Sequence, residues 1–314
     1  MPHQTTVLPF GEFRDIVGPH CNPHLTVAVA AGDTPDGLRF TVGEFANGLA
    51  HDRVMTTVEY LSHMRQALPS GDTPMQPFLF QAEDVPAEVA SVSWEARREW
   101  KSVMLVPDLY YYTGGGYEHW LPVQIPWRAR QTKAVWRGST TGLFYFSADD
   151  LDRLPRYRLC HAVAKIGNIA DVGLTAVVQT ADKTQARQIE SRLNQEGLFK
   201  PFLPMEDMTA YRYVLDIDGN SNSWNFMMKL RLGACVLRVD SDWKQWFCER
   251  LRPWEHYVPI AKDLSNVADI VQWCLDHDDE CEAIAARGFN FAKEMRFSDE
   301  MARAANSVYR AAER

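Results

Sequence analysis

No apolar run in the chain approaches the ~18 residues that a membrane-spanning helix requires, and the opening MPHQTT lacks the basic flank and apolar stretch of a signal peptide. A non-exported, cytoplasmic protein with at most peripheral membrane contact is expected. Cysteine is sparse: Cys21, Cys160, Cys235, Cys248, Cys274 and Cys281 form no C-x-x-C pair, which suits a reducing compartment and excludes a disulfide scaffold. Positive charge is short as well. With 33 basic against 41 acidic residues the chain carries −8, which argues against wrapping nucleic acid on a broad basic face. Low-complexity linkers, fixed-period repeats, a Walker pattern and G-x-S-x-G are all missing, so solenoid, P-loop kinase and serine-hydrolase readings have no anchor. What is there is 314 residues with 46% apolar content, enough for two buried cores at about 150 residues per domain.

Short apolar runs at His24–Ala31, Leu38–Val42, Pro77–Gln81 and Val103–Val106 read as strands. Between them Val54, Val58, Leu61, Met64 and Leu68 keep a helical period over Asp52–Leu68, and Ser93–Trp100 reads as another helix. From Lys133 the pattern restarts with AVWRGS, then Cys160–Ile166, Val172–Gln179, a polar helix over Ala181–Glu196, strand Tyr211–Ile217, helix Ser223–Leu232 and strand Ala234–Val239. Helices Trp243–Leu251 and Asn266–Lys293 close the chain. The alternation predicts α/β architecture in two Rossmann-like lobes, 1–130 and 131–314, joined through the Pro-containing stretch Leu121–Thr132. Ligands of open α/β sheets sit beyond the carboxyl ends of strands, so the site is expected in the cleft between the lobes.

Between Arg128 and Lys165 stand eight basic residues against three acids, an island of +5. Arginine's planar fork matches phosphate, so a small anionic ligand is the economical reading. Trp136, Arg137, Gly138 and Ser139 close an apolar strand, where glycine admits a ligand close to the backbone and the hydroxyls of Ser139, Thr140 and Thr141 can donate to phosphate. A second constellation, YRYVLDIDGNSNSWNF, runs a buried strand into a small polar loop and a helix beginning near Ser223. Unpaired N–H groups at such a helix start suit a diphosphate.

Taken in order, VWRGSTTG, the following Arg158, DVGLT at 171–175, YRYVLDIDG at 211–219, LRLGACVLRV and PWEHYVPIAKDLSNV at 253–267 resemble glycosyltransferase family 90. That family includes protein O-glucosyltransferases, capsule-associated xylosyltransferases and bacterial lipopolysaccharide-modifying enzymes. The resemblance implies a GT-B fold, a UDP-sugar as co-substrate on the C-terminal lobe, inversion with no metal or other cofactor, and a glycan or glycolipid acceptor, such as lipopolysaccharide core or capsule, on the N-terminal lobe. The C-terminal helices are then able to pack back on the first lobe. Carried over residue by residue, it puts the donor at Trp136, Arg137, Gly138, Ser139, Arg158 and at Asp218, Gly219, Asn220, Ser221, Asn222, Ser223 and Asn225. Where eukaryotic members read S-F-R this chain has Ser223-Trp224-Asn225, and Lys229 one turn on is the candidate substitute for the missing guanidinium.

Inverting transfer needs a carboxylate to take the acceptor hydroxyl's proton. Asp108, in Val106-Pro107-Asp108 at a strand end, is the first choice, and Glu118 in GGGYEH the second. Two rivals stay open: a catalytically silent nucleotide-sugar or glycan-binding module, and a metal-dependent transferase using Asp216 and Asp218 as a D-x-D pair. The cluster His20, Cys21 and His24 lacks a fourth zinc ligand and reads as a turn, and the spacing of Trp243, Trp246, Phe247 and Trp254 favours core packing over a sugar platform. Cys274 and Cys281 read as buried apolar residues on one helix.

Overall fold

The computed structural model describes residues 4–33, 37–68 and 75–309. Two compact units divide the chain: unit 1 holds Met1–His119, Asp242–Glu249 and Met295–Arg314, and unit 2 holds Trp120–Ser241 and Arg250–Glu294. The break at His119/Trp120 precedes the expected one at 130/131 because the Pro-containing stretch is anchored on unit 2. There Trp120 Nε1 donates to Glu206, Trp127 Nε1 to Asp278, and Arg130 Nη2 to the Leu232 carbonyl.

In chain order the first part runs β1 (Gln4–Leu8), α1 (Phe10–Val17), β2 (Thr26–Ala31), β3 (Leu38–Gly43), α2 (Gly48–Gln66), β4 (Phe78–Gln81), β5 (Ser91–Ser93), β6 (Glu95–Arg97), β7 (Val103–Leu105) and α3 (Leu109–Thr113). It continues with β8 (Gln131–Ser139), α4 (Pro155–Ala164), β9 (Ala170–Ala176), α5 (Lys183–Gln195), β10 (Tyr211–Asp216), α6 (Phe226–Arg231) and β11 (Cys235–Val239). Then come β12 (Trp243–Gln245), β13 (Val258–Ile260), α7 (Val267–Asp276), α8 (Asp278–Glu294) and α9 (Phe297–Tyr309).

Unit 1 is built on a six-stranded sheet ordered β1-β3-β2-β4-β5-β7. Only β2 runs against the others, so the carboxyl ends of five strands and the start of β2 share one edge. Alternation along β2 and β3 turns Val27, Val29, Phe40 and Val42 into the core. On α2 the buried stripe Val54, Val58, Leu61 and Met64 matches the period seen in the sequence, and Asn47 caps the helix by accepting from Ala50 N–H. The expected helix over Ser93–Trp100 is instead the end of β5 and strand β6, because β6 pairs antiparallel with β12. That pairing also overturns the helix expected at Trp243–Leu251: two extended segments satisfy each other's backbone groups.

Unit 2 carries five parallel strands in the order β13-β11-β10-β8-β9. Both faces of this sheet are covered, and its strands are accordingly near-continuous apolar runs. On β8, Ala134 and Trp136 enter one core with Tyr157 and Cys160, while Val135 enters the other with Met208 and Val214. The run Cys160–Ile166 starts inside α4, which Pro155 opens at the first helical position and which ends at Ala164. Asn266–Lys293 is broken at His277 into α7 and α8, and Cys274 and Cys281, one on each, are buried in the core as expected.

Candidate active site

Entering at β8, the unit 2 chain first moves to β9 on one side, then crosses to β10 on the other and continues outward to β11 and β13. Loops that leave β8 and β10 therefore diverge, and a crevice opens between their carboxyl ends, which is where open α/β sheets bind ligands. These are the loops 139–142 and 217–225 that the sequence singles out. The Gly142 N–H donates to Asn220 Oδ1 at 3.0 Å, and Arg156 bridges the two strand ends by donating to the carbonyls of Asp218 (2.9 Å) and Ser139 (3.3 Å). A Cβ at Gly219 would stand 2.9 Å from both Arg156 Nη2 and Thr141 Oγ1, so any larger residue would push the guanidinium off this loop. Gly138 is glycine because the Trp136 ring would lie 2.6 Å from its Cβ.

Arg156 belongs to the basic island between Arg128 and Lys165 but not to the donor residues that the family resemblance carries over. The signal was present: Pro155 marks a helix start, and position 156 shares a face with the buried Cys160 and Val163. Arg158, on the opposite face, donates to the Asp263 carbonyl instead. Arg137 also turns elsewhere. Its guanidinium pairs with Asp171 Oδ1 at 2.6 Å and bonds the Asp171 and Pro201 carbonyls, fixing β8 to β9.

Beneath the crevice lies a charged cluster. Asp216, buried at the end of β10, accepts from Lys229 Nζ at 2.7 Å and Ser223 Oγ at 2.5 Å, with Arg238 Nε 3.6 Å from its second oxygen. Burial pushes the Asp218 carboxyl up to about 6, against the hydrogen bond from Ser241 and the charge of Arg238. Burial likewise pulls the Lys229 ammonium below its ordinary value, while Asp216 opposes. Lys229 is thus committed to Asp216 and does not replace the missing guanidinium directly. Its helix also starts later than expected: α6 begins at Phe226 and is six residues long, because Ser221, Asn222 and Ser223 are buried in the loop and Ser223 binds back to Asp216. Asn225 sits at the cap position without capping, its side chain 3.1 Å from Ser223 Oγ, whose one hydrogen goes to Asp216.

The family model for glycosyl transferase family 90 matches residues 122–302, more than half of the chain. The chain belongs to glycosyltransferase family 90. Among family relatives, human protein O-glucosyltransferase 1 is 30% identical over 173 residues, covering 54% of this chain and 38% of that protein. Uncharacterized protein 179R of Invertebrate iridescent virus 6 is 31% identical over 184 residues, covering 53% and 15%. The match therefore spans well under half the length of these relatives. A solved structure of Anabaena Alr3699/HepE with UDP and glucose has 11% identity and a TM-score of 0.46, over 82% of this chain and 66% of that one. Two α/β units with parallel strands accord with the GT-B class expected for a family 90 chain.

The family 90 match starts at residue 122, so the carboxyl edge of the unit 1 sheet has to be read from its own geometry. Asp108 follows β7 and caps α3: Oδ1 accepts from Tyr111 N–H at 2.8 Å and Oδ2 from Gln245 Nε2 at 3.1 Å, with the residue only 2% exposed. Burial pushes its carboxyl up to about 7, against the Tyr111 and Tyr110 N–H groups. A base would need an accessible oxygen, and Asp108, the first choice from the sequence, is held here as the buried cap of α3. Glu118 accepts from Phe297 N–H at 2.7 Å at the start of α9. The sequence reading missed Glu83 and Asp84, just past β4 on the same edge. Asp84 is 44% exposed and held by Arg53 Nη2 at 2.6 Å. Burial pushes Glu83 up to about 7, against hydrogen bonds from Asn22 and the charge of Arg53.

Of the remaining candidates, His24 bonds the Glu44 carbonyl and Cys21 is buried beside Phe13 and Val17, so the H-C-x-x-H segment is a packed turn. Among the described residues no group of three or more metal-ligating side chains occurs. Trp243 lies under Arg97, Trp246 donates to Glu300, and Trp254 stacks edge-on to Trp273 in unit 2, so the aromatics form no common platform.

Proposed function

We propose that the protein transfers a sugar from a UDP-sugar to a hydroxyl of a glycan acceptor of the lipopolysaccharide-core or capsule type, with inversion and without a metal ion. The observation that carries this is the β8/β10 crevice with Arg156 bridging its two loops. Arg156, Lys229 and Arg238 set three cations against the two carboxylates of Asp216 and Asp218, leaving +1 beside the position proposed for the diphosphate. Fixed cations in a water-poor site stabilise charge that develops on a leaving diphosphate. Asp216 faces Lys229, Ser223 and Arg238, a donor set that already neutralises it and leaves a divalent ion little to bind. In this reading Ser139, Gly219, Asn220, Ser221 and Asn222 shape the phosphate cradle, Trp136 and Gly138 hold its floor, and Arg137 and Arg158 brace the surrounding strands.

For the proton, Asp84 is the proposed base. Its accessibility and its orientation by Arg53 favour it over Asp108, with Glu83 next to it as the second carboxylate. Deprotonating the acceptor hydroxyl lets that oxygen attack the anomeric carbon in a single inverting step, with UDP departing toward the cations. No helix among the described residues is long and apolar enough to cross a membrane. The six cysteines are free, as a reducing compartment would keep them. The test is release of UDP from a panel of UDP-sugars with and without EDTA. EDTA-resistant turnover is expected. Turnover lost in EDTA would return the reaction to a metal bound at Asp216 and Asp218, and binding without turnover would leave a silent nucleotide-sugar module.

A further inference from the structure

A recess of about 360 Å³ lies at the carboxyl edge of the unit 1 sheet, between the residues entering β2 (Asn22, His24, Leu25) and the first turns of α2 (Asn47, Leu49, Arg53). Its size is that of a small-molecule site, about 300–1,000 Å³. The polar side chains in its wall are held in place. Asn22 Oδ1 accepts from His24 N–H at 3.1 Å while Asn22 donates to Glu83, and Asn47 Oδ1 caps α2 at 2.9 Å. The Arg53 guanidinium lies 5.2 Å from the Trp94 ring centroid with Nη2 on Asp84, and its Nε is buried with no partner among the described residues. Leu25 and Leu49 give the recess an apolar side.

Charge decides the ligand class. Glu44, Glu83 and Asp84 border the recess through His24, Asn22 and Arg53, and Arg53 alone among the lining residues carries a permanent positive charge, which is spent on Asp84. An anion entering here would meet an acidic rim, whereas an uncharged polyol would not. Two amides and a guanidinium, each held by its own partner, bring donors and acceptors of the kind that hydroxyls bind, and the leucines suit the C–H face of a pyranose. We infer that this recess holds the uncharged sugar ring of the acceptor, with Asn22, Asn47 and Arg53 reading its hydroxyls. The inference rests on the glycosyltransferase reading and deepens it, because Arg53 ties the recess directly to Asp84.

The experiment uses saturation-transfer NMR on the whole chain with the methyl α- and β-pyranosides of glucose, galactose and mannose, and calorimetry with UDP. Leu49 is 82% exposed, so Leu49→Trp fills the mouth without disturbing the core, and Asn22→Ala removes one reader. At least one glycoside is expected to give a signal that falls tenfold or more in Leu49→Trp and drops in Asn22→Ala, with UDP affinity unchanged in both. A signal that survives in Leu49→Trp, or no signal from any glycoside, overturns the inference. Failure of the parent chain to bind UDP would instead strike the nucleotide-sugar reading, whatever the glycosides do.

Discussion

Replacing Asp108 separates a structural carboxylate from a catalytic one. Asp108→Ala removes the cap of α3, about 0.5–2 kcal/mol, and leaves the buried Gln245 amide without its acceptor, about 1–3 kcal/mol. Their sum centres on about 3 kcal/mol, and at roughly 2–4 °C per kcal/mol for a unit of this size the Tm falls by about 6–12 °C. Asp108→Asn keeps the cap through its one amide oxygen, and its NH2 group bonds Gln245 once that side chain flips to present Oε1, which has no partner in the parent, but it cannot ionise. The pH dependence follows. Burial lifts the folded-state carboxyl from 3.8 to about 7, so between those values the folded chain holds a proton that the unfolded chain releases. Stability contributed by the protonated form is complete below about pH 4 and is lost as pH rises to about 7. Urea denaturation from pH 4.5 to 8 should therefore show the parent losing stability relative to Asp108→Asn across that window. Parallel profiles would refute the burial argument. A folded Asp108→Asn protein that has lost transfer would return the base to Asp108.

If Asp84 is the base, Asp84→Asn is expected to lower turnover by about 10²–10⁴ with UDP affinity intact, and parental turnover in that variant would exclude it. By calorimetry Arg156→Ala should weaken UDP binding by about 1.5–3 kcal/mol, the range for charge-assisted hydrogen bonds, while Arg137→Ala should chiefly lower the Tm. The reverse ranking would put Arg137 at the diphosphate. Lys229→Met takes the nearer of two cations from buried Asp216, leaving Arg238 at 3.6 Å, and is expected to cost up to about 3–5 kcal/mol of stability in chemical denaturation; a variant as stable as the parent would mean that the pair contributes nothing.

Where burial on both faces made the chain locally unambiguous, the sequence was a good guide. Apolar β8 and β10, each ending in small polar residues, mark the crevice loops in the sequence itself. Ser93–Trp100 and Trp243–Leu251 were read as helices because a short run containing aromatics fits either period, and their β pairing is contributed by a segment almost 150 residues away. The same distance hid the role of Asp108: its partner Gln245 is 137 residues further on. Arg137 drew attention by its motif, but motif position does not say which way a side chain leaves a strand, and Asp171 on the neighbouring strand decides it. The Glu83–Asp84 pair carries no motif at all. Only the sheet order brings it to the edge shared with Asn22 and Arg53.

Unit 1 is assembled from the beginning, the middle and the end of the chain. Strand β12 supplies the partner of β6 and the Gln245 amide, and α9 supplies the Tyr309 hydroxyl that bonds the Leu61 carbonyl. During synthesis the first 119 residues therefore emerge with an unpaired β6 edge and an uncovered face on α2, and wait for residue 309. At about 5–20 residues per second the delay is about 10–40 s, and unit 2, whose last residue is Glu294, is complete about 1–3 s before it ends. Residues 4–119 are thus made before unit 2 but completed after it, and a fragment ending at residue 119 should be a client for chaperones rather than a domain.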